Sequence, residues 1–256
     1  MNNLFPKINI DKKSIVNTLN TQGSYCIANF LSDEQLSALR ESVRLDAIEH
    51  NGQYFAHHGG DAVENSLLGV LGATPEFQQA LDDIYQAVAG KPAHSRDILK
   101  VLRCVQGNSG RRESNCFHYD ASLVTVLLPI EIPQNGIDRG DLIMFPNLRR
   151  VRSNVLLNIL EKMLLQNKLS RKLICAAIRH NLLHPQKLQL VPGNLYLFWG
   201  YRTLHANEHC DPANRRATAI FHYGDPHAGS LATRLILKLN QRRAARASAL
   251  GTQPAA

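Results

Sequence analysis

The chain has 256 residues, 44% of them apolar, and a formal net charge of +8; this is enough for one substantial core and points to a single domain over 1–256. No apolar run reaches the roughly 18 residues of a membrane span, and Met1–Lys13 (MNNLFPKINIDKK) lacks an apolar signal-peptide core, so a cytoplasmic protein is expected. Five cysteines without Cys-x-x-Cys spacing argue against a disulfide framework or a thiolate zinc site, and aromatics at 6%, none interleaved with basic residues, argue against nucleic acid as partner.

From the amino terminus, SYCIANFLSDEQLSALRESV at 24–43 reads as a strand running into a helix. Ser32 and Gln35 have capping-box spacing, and Leu36, Leu39 and Val43 recur at helical intervals, which predicts a scaffold helix packed on the core. His57-His58-Gly59-Gly60-Asp61 reads as a mobile loop covering substrate rather than a paired-His metal site. A second helix is expected over Pro75–Val88 (PEFQQALDDIYQAV), with Asp82-Asp83 on its solvated face.

About eight core strands are expected to begin near Ile98 and close near Tyr223. The run Asn115–Pro129 (NCFHYDASLVTVLLP), rich in β-branched and apolar residues, is predicted to be one of them. Strand alternation then projects His118 and Asp120 from one face and Tyr119 from the other. Cys116 shares the ligand face and is a candidate lining residue.

The segment Leu148–Lys187 carries nine basic residues against Glu161 alone, a surplus of eight that equals the net charge of the whole chain. Apolar residues recur every third or fourth position, from Val151 to Leu164 and again from Leu169 to Leu182, which predicts two amphipathic helices broken at 167–170. This insertion is expected to form a basic cap over the core, either as a solvated face or as an attractor for an anionic substrate or an acidic membrane surface.

Beyond the Pro192-Gly193 turn signal, LYLFW at 195–199 predicts a strand, and His205 follows it. His118, Asp120 and His205 together make the two-His, one-carboxylate set that holds a ferrous ion and leaves positions open for chemistry. The run Arg216–Tyr223 (RATAIFHY) is a further strand, whose alternation puts Arg216 and Thr218 on one face and Arg215 on the other. A guanidinium clamps a carboxylate bidentately, so Arg216 with Thr218 is the expected grip on a keto-acid cosubstrate. Tyr119, Trp199 and Arg202 are candidates for the surrounding shell or the substrate side, with Trp199 also reading as core. The tail Arg234–Arg246 (RLILKLNQRRAAR) repeats the basic amphipathic pattern, and 247–256 is expected to be disordered.

The array FHYD at 117–120, NGIDRGDLIMFPN at 135–147, VPGNLYLFWGYRTLHANE at 191–208 and NRRATAIFHY at 214–223 resembles the non-haem iron, 2-oxoglutarate-dependent dioxygenases, and within them the phytanoyl-CoA dioxygenase group. The resemblance spans about residues 20–225 and rests on the order and spacing of short motifs. It implies a double-stranded β-helix (jelly-roll, cupin-like), an all-β core with packed amino-terminal helices and a basic helical insertion. It also implies Fe(II) on His118, Asp120 and His205, 2-oxoglutarate anchored by Arg216, and O2 as second cosubstrate. Halogenating relatives carry a small residue where Asp120 stands, so hydroxylation is the expected reaction. Phe145-Pro146-Asn147 replaces the Pro-Gly-Ser-His element of many relatives, so a CoA thioester substrate is not implied.

The expected substrate is an anionic small molecule or a charged sugar or lipid, with peripheral contact to the inner face of the membrane through 148–187 and 234–246. Two other readings use the same residues. One is a non-catalytic, metal-containing β-fold protein that binds an anionic partner; the other is a zinc hydrolase, which has no need of the Arg216-x-Thr218 clamp.

Overall fold

A computed structural model of the chain describes Phe5, residues 11–152 and residues 154–228. The basic tail at 234–246, the terminal stretch 247–256 and most of the first ten residues lie outside the described part. The first half contains α1 (Lys12–Thr21), β1 (Ser24–Ile27), α2 (Asp33–Glu49), β2 (Phe55–His58), α3 (Asp61–Glu64), α4 (Leu67–Ala73), α5 (Pro75–Ala89), β3 (Ile98–Val105) and α6 (Gly107–Arg111). Then come β4 (Val124–Glu131), β5 (Leu142–Phe145), α7 (Val155–Leu165), α8 (Lys168–Arg179), β6 (Gln186–Leu188), β7 (Leu195–Phe198), β8 (Leu204–Asn207) and β9 (Arg216–Tyr223).

The strands form an antiparallel six-stranded sheet in the order β1-β7-β4-β9-β3-β2 and a three-stranded sheet in the order β6-β5-β8. Period-two alternation gives the larger sheet two different faces. Ala217, Ala219, Phe221 and Tyr223 of β9, with Val124, Val126 and Leu128 of β4, join one apolar core with Leu39 and Val43 of α2 and Phe77, Leu81 and Ile84 of α5. The alternate residues face inward, where Leu127, Tyr196 and Phe198 meet Leu142 and Met144 of the smaller sheet. Two sheets packed face to face with helices outside one of them make a double-stranded β-helix.

Local signals explain the helices. Ser32 and Gln35 form the reciprocal capping box that starts α2, and Leu36, Leu39, Val43 and Ala47 are its buried stripe. Pro75 opens α5 and Gly90, in the left-handed conformation, ends it. The two helices of the basic insertion interrupt the strand succession between β5 and β6, with Asn167 capping the second.

Three sequence expectations need correction. The strand foreseen over 115–129 is regular only from Val124, and it runs through Pro129 into a register shift before Glu131. Upstream, the amides of Asn115, His118, Asp120 and Leu123 donate to the carbonyls of Asn207, His205, Gly200 and Gly224, so this segment crosses between the sheets instead of joining one ladder. His57 and His58 lie in β2, paired with Leu102 and Val101, and the loop begins only at Gly59. Asp82 is not solvated: it is buried and accepts hydrogen bonds from Tyr223 (2.8 Å) and Gln86 (2.8 Å), while Asp83 meets Lys12.

Candidate metal centre and its cleft

The crossing segment and β8 bring three side chains to one point. His118 and His205 face each other across an isolated bridge, with ring centroids 4.4 Å apart. Ligand atoms of His118, Asp120 and His205 all lie within 4.8 Å of one another. Asp120 Oδ1 stands 3.5 Å from His118 Nε2 and 3.6 Å from His205 Nε2.

Both imidazoles are oriented in the same way. His118 Nδ1 donates to the carbonyl of Cys116 (2.8 Å), and His205 Nδ1 donates to that of Thr203 (3.0 Å). A carbonyl can only accept, so each Nδ1 carries the proton and each Nε2 presents a lone pair to the centre, the tautomer a metal requires. Asp120 is held in turn by Thr125, whose hydroxyl donates to Oδ2 at 2.5 Å.

Burial opposes ionisation of Asp120, yet the surrounding His205, His222 and His118 keep its carboxyl well below the usual carboxylate range. Burial pushes His205 down to about 4, outweighing the pull of Asp120. At neutral pH the cluster is therefore one carboxylate with neutral His205, the protonation state in which a divalent cation binds without first displacing protons from those two groups.

The centre opens into a narrow cleft between the sheets with a cavity volume of about 60 Å³. Along β9, Arg216, Thr218, Ile220 and His222 line it by strand alternation, while Arg103, Thr125, Phe198 and Asn207 come from neighbouring strands. Arg216 is 1% exposed. Its Nε donates to the Gly140 carbonyl (2.5 Å) and its Nη1 to the Thr218 hydroxyl (3.3 Å). Among the described residues no carboxylate forms an ion pair with it. Burial lowers Arg216 to about 10, so it is still a cation at neutral pH. Among the described residues the Nδ2 of buried Asn207 also has no hydrogen-bond partner. By contrast, Arg215 turns to the other side and makes a two-point ion pair with Glu131 at 2.7 and 3.1 Å.

Two glycines permit this crowding. A Cβ on Gly200 would lie 2.3 Å from Asp120 Oδ2 and 2.1 Å from Thr125 Oγ1. Gly140 has φ +73°, and a Cβ there would come within 2.6 Å of Arg216 Cδ.

The other candidates lie off the cleft. Tyr119 points away into an apolar cluster with Phe117, Ile143 and Leu204, beneath the guanidinium of Arg149. Cys116 contributes its carbonyl, while its thiol donates toward the Arg112 carbonyl at 3.6 Å. Trp199 is fully buried in the main core and donates to Asn20 (3.1 Å). Arg202 reaches the same Asn20 at 2.9 Å. Sequence reasoning passed over Thr125, His222, Asn207 and Arg103. Extending the Arg216–Thr218 alternation by two further steps would have found His222, whose Nδ1 lies 3.0 Å from Ser122 Oγ and 3.7 Å from Asp120 Oδ2.

No family model and no curated protein matches the chain. Solved structures do. A prolyl 4-hydroxylase from Phytophthora capsici is similar at 17% identity over 87% of this chain, with a TM-score of 0.56; this chain spans 65% of that one. A prolyl-4-hydroxylase from Pseudomonas putida is similar at 15% identity and TM-score 0.50, over 83% of this chain and 98% of that one. SnoK, a non-heme alpha-ketoglutarate-dependent carbocyclase from nogalamycin biosynthesis, is similar at 15% identity and TM-score 0.51, over 85% of each chain. At these identities the likeness is one of fold, and that fold is the double-stranded β-helix.

Proposed function

We propose that the protein is a non-haem Fe(II)- and 2-oxoglutarate-dependent oxygenase that hydroxylates an anionic small molecule or a charged sugar or lipid. The observation that carries this reading is the convergence of His118, Asp120 and His205 at the head of a cleft that also holds Arg216, buried and without a carboxylate partner among the described residues. A two-His, one-carboxylate set suits ferrous iron. An isolated buried cation is costly unless an anion meets it, and a cosubstrate carboxylate is such an anion.

Ferrous iron and 2-oxoglutarate, when bound, would supply the oxidising chemistry, with succinate as the co-product and O2 as the source of the oxygen placed on the substrate. The chain's own groups bind and orient. His118 and His205 present their Nε2 lone pairs because backbone carbonyls hold Nδ1–H. Thr125 holds Asp120, leaving Oδ1 toward the two imidazoles. Arg216 and Thr218 would hold the remote carboxylate of the keto acid, and the Asn207 amide, which lines the same cleft, would be free to donate to it. Leu127, Phe198 and Ile220 make the cleft walls apolar and exclude water.

A carboxylate at 120 favours hydroxylation, since it fills the position a halide would take. Kinship with the phytanoyl-CoA dioxygenase group rests on the motifs alone. The free cysteines fit a reducing cytoplasmic location.

The test is anaerobic titration of the metal-free protein with Fe(II) and then 2-oxoglutarate. The expected result is the weak visible charge-transfer band of a chelated keto acid, followed in air by succinate release that rises with a true substrate among candidate acids, phosphates and lipid-linked sugars. Metal binding without that band and without succinate would sink the oxygenase reading and leave a binding protein.

A further inference from the structure

The basic insertion leaves its most apolar face uncovered. Leu165 of α7 and Ile174, Cys175 and Ile178 of α8 pack inward against Phe117, Tyr119, Ile143 and Leu204. The opposite stripe of α7, made of Leu156, Leu157, Leu160, Met163 and Leu164, is between 52% and 69% exposed. Leu169 and Leu173 continue it on α8 at 67% and 61%. An apolar patch of this extent, rimmed by polar residues, marks an interaction surface.

Charge decides what it meets. Arg150, Lys168, Lys172 and Arg179 are exposed beside this stripe. Glu161, the one acidic residue of 148–187, is already bound by Arg149 and Arg152, and Lys187 is held by Glu208. The leftover charge is therefore positive. The tail sequence over 234–246 has five basic residues and no acidic one, so its charge does not complement this face, and neither does the same basic rim on a second copy. Lys168 and Lys172 directly precede Leu169 and Leu173, so their heads sit about 100° around the helix from the leucines, where they can reach headgroups while the leucines enter the acyl boundary. Helices of 11 and 12 residues are too short to span a bilayer but long enough to lie on one.

We propose that the α7–α8 hairpin docks the protein on an anionic lipid surface. Docking requires neither metal nor cosubstrate, so it stands apart from the oxygenase reading. It also places the cleft at that surface, because the hairpin is tied to the metal-ligand segment. Lys162 donates to the Asp120 carbonyl (3.1 Å), and Gln166 donates to that of Tyr119 (3.3 Å). Arg149, at the root of the hairpin, is stacked on Tyr119 and Tyr201 at 4.0 and 4.1 Å.

The experiment is flotation of the full chain with vesicles of phosphatidylcholine alone and of phosphatidylcholine with phosphatidylglycerol. At least tenfold more protein should float with the anionic vesicles, and high salt should weaken the binding. The pairs Leu160→Glu/Met163→Glu and Lys168→Glu/Lys172→Glu should each lose it at least tenfold, with unchanged circular dichroism and melting temperature. Absence from both vesicle types, equal flotation with both, or full binding by either double variant would overturn the proposal. So would sedimentation showing that Leu160→Glu/Met163→Glu dissociates an oligomer, since the face would then belong to a second copy.

Discussion

The cleft and the α7–α8 hairpin break the usual partition of polar and apolar groups in opposite directions. In the cleft a guanidinium is buried with no carboxylate partner among the described residues; on the hairpin seven large aliphatic side chains face water. Burying a cation and exposing leucines both oppose folding, and here each has a ready explanation in something that binds afterwards. The regions differ in how they are held. The cleft is fixed from both sheets by backbone pairing and by Nδ1–carbonyl and Thr125–Asp120 hydrogen bonds. The hairpin is fixed along its inner face only. Preorganised polar groups suit chemistry that tolerates little misplacement, whereas a one-sided apolar helix suits a soft, non-directional contact.

Removing a metal ligand is the hardest blow to the cleft. Asp120→Ala or His205→Ala should abolish measurable Fe(II) binding in anaerobic calorimetry, a larger effect than the roughly 10–100-fold typical of groups that only orient a ligand. Acid should act next. His205 sits at about 4 in the folded chain against roughly 6.5 unfolded, so as pH falls the unfolded state takes up the proton first. Stability is complete above about pH 6.5 and is lost progressively toward pH 4, on the order of 3 kcal/mol from this group. Asp120, also lowered, adds a loss at still lower pH. Melting of the metal-free protein from pH 7.5 to 4.5 reads this, and a flat profile would mean that His205 is not buried neutral.

Arg216→Leu should weaken 2-oxoglutarate binding by at least about 30-fold, near 2 kcal/mol. Arg215→Leu, which breaks only a partly exposed ion pair with Glu131, should cost under about 1 kcal/mol of stability and leave cosubstrate affinity unchanged. Equal effects of the two would remove the distinction between the faces of β9. Thr125→Val should cost about tenfold in metal affinity by freeing Asp120 Oδ2. The smallest effect belongs to the hairpin: without lipid, Leu160→Glu should shift unfolding free energy by less than about 0.5 kcal/mol. A larger loss in denaturant titration would show that its outer face is covered by the protein itself.

How much was legible follows from the range of each signal. Period-two alternation separated Arg216 from Arg215 and His118 from Tyr119, because those distinctions are local. What failed over 115–123 was the regular strand itself, since the backbone hydrogen bonds there go to four distant carbonyls and no ladder forms. Trp199 and Arg202 were drawn toward the site by nearness to His205 in sequence, yet both side chains bond to Asn20 instead. Asp82 had the look of a solvated helical acid, and only the distant hydroxyl of Tyr223 explains its burial.

The sequence alone determined which residues can ligate a metal, where the capped helices begin and where the surplus positive charge lies, since each depends on side-chain chemistry or on neighbours within one or two turns. Tertiary structure decided that Gly200 must lack a Cβ beside Asp120, that Thr125 and His222 join the centre, and that the leucines of α7 look outward. Those facts depend on which strands and helices come to lie side by side, and distances between segments far apart in the chain are set by packing rather than by any local pattern.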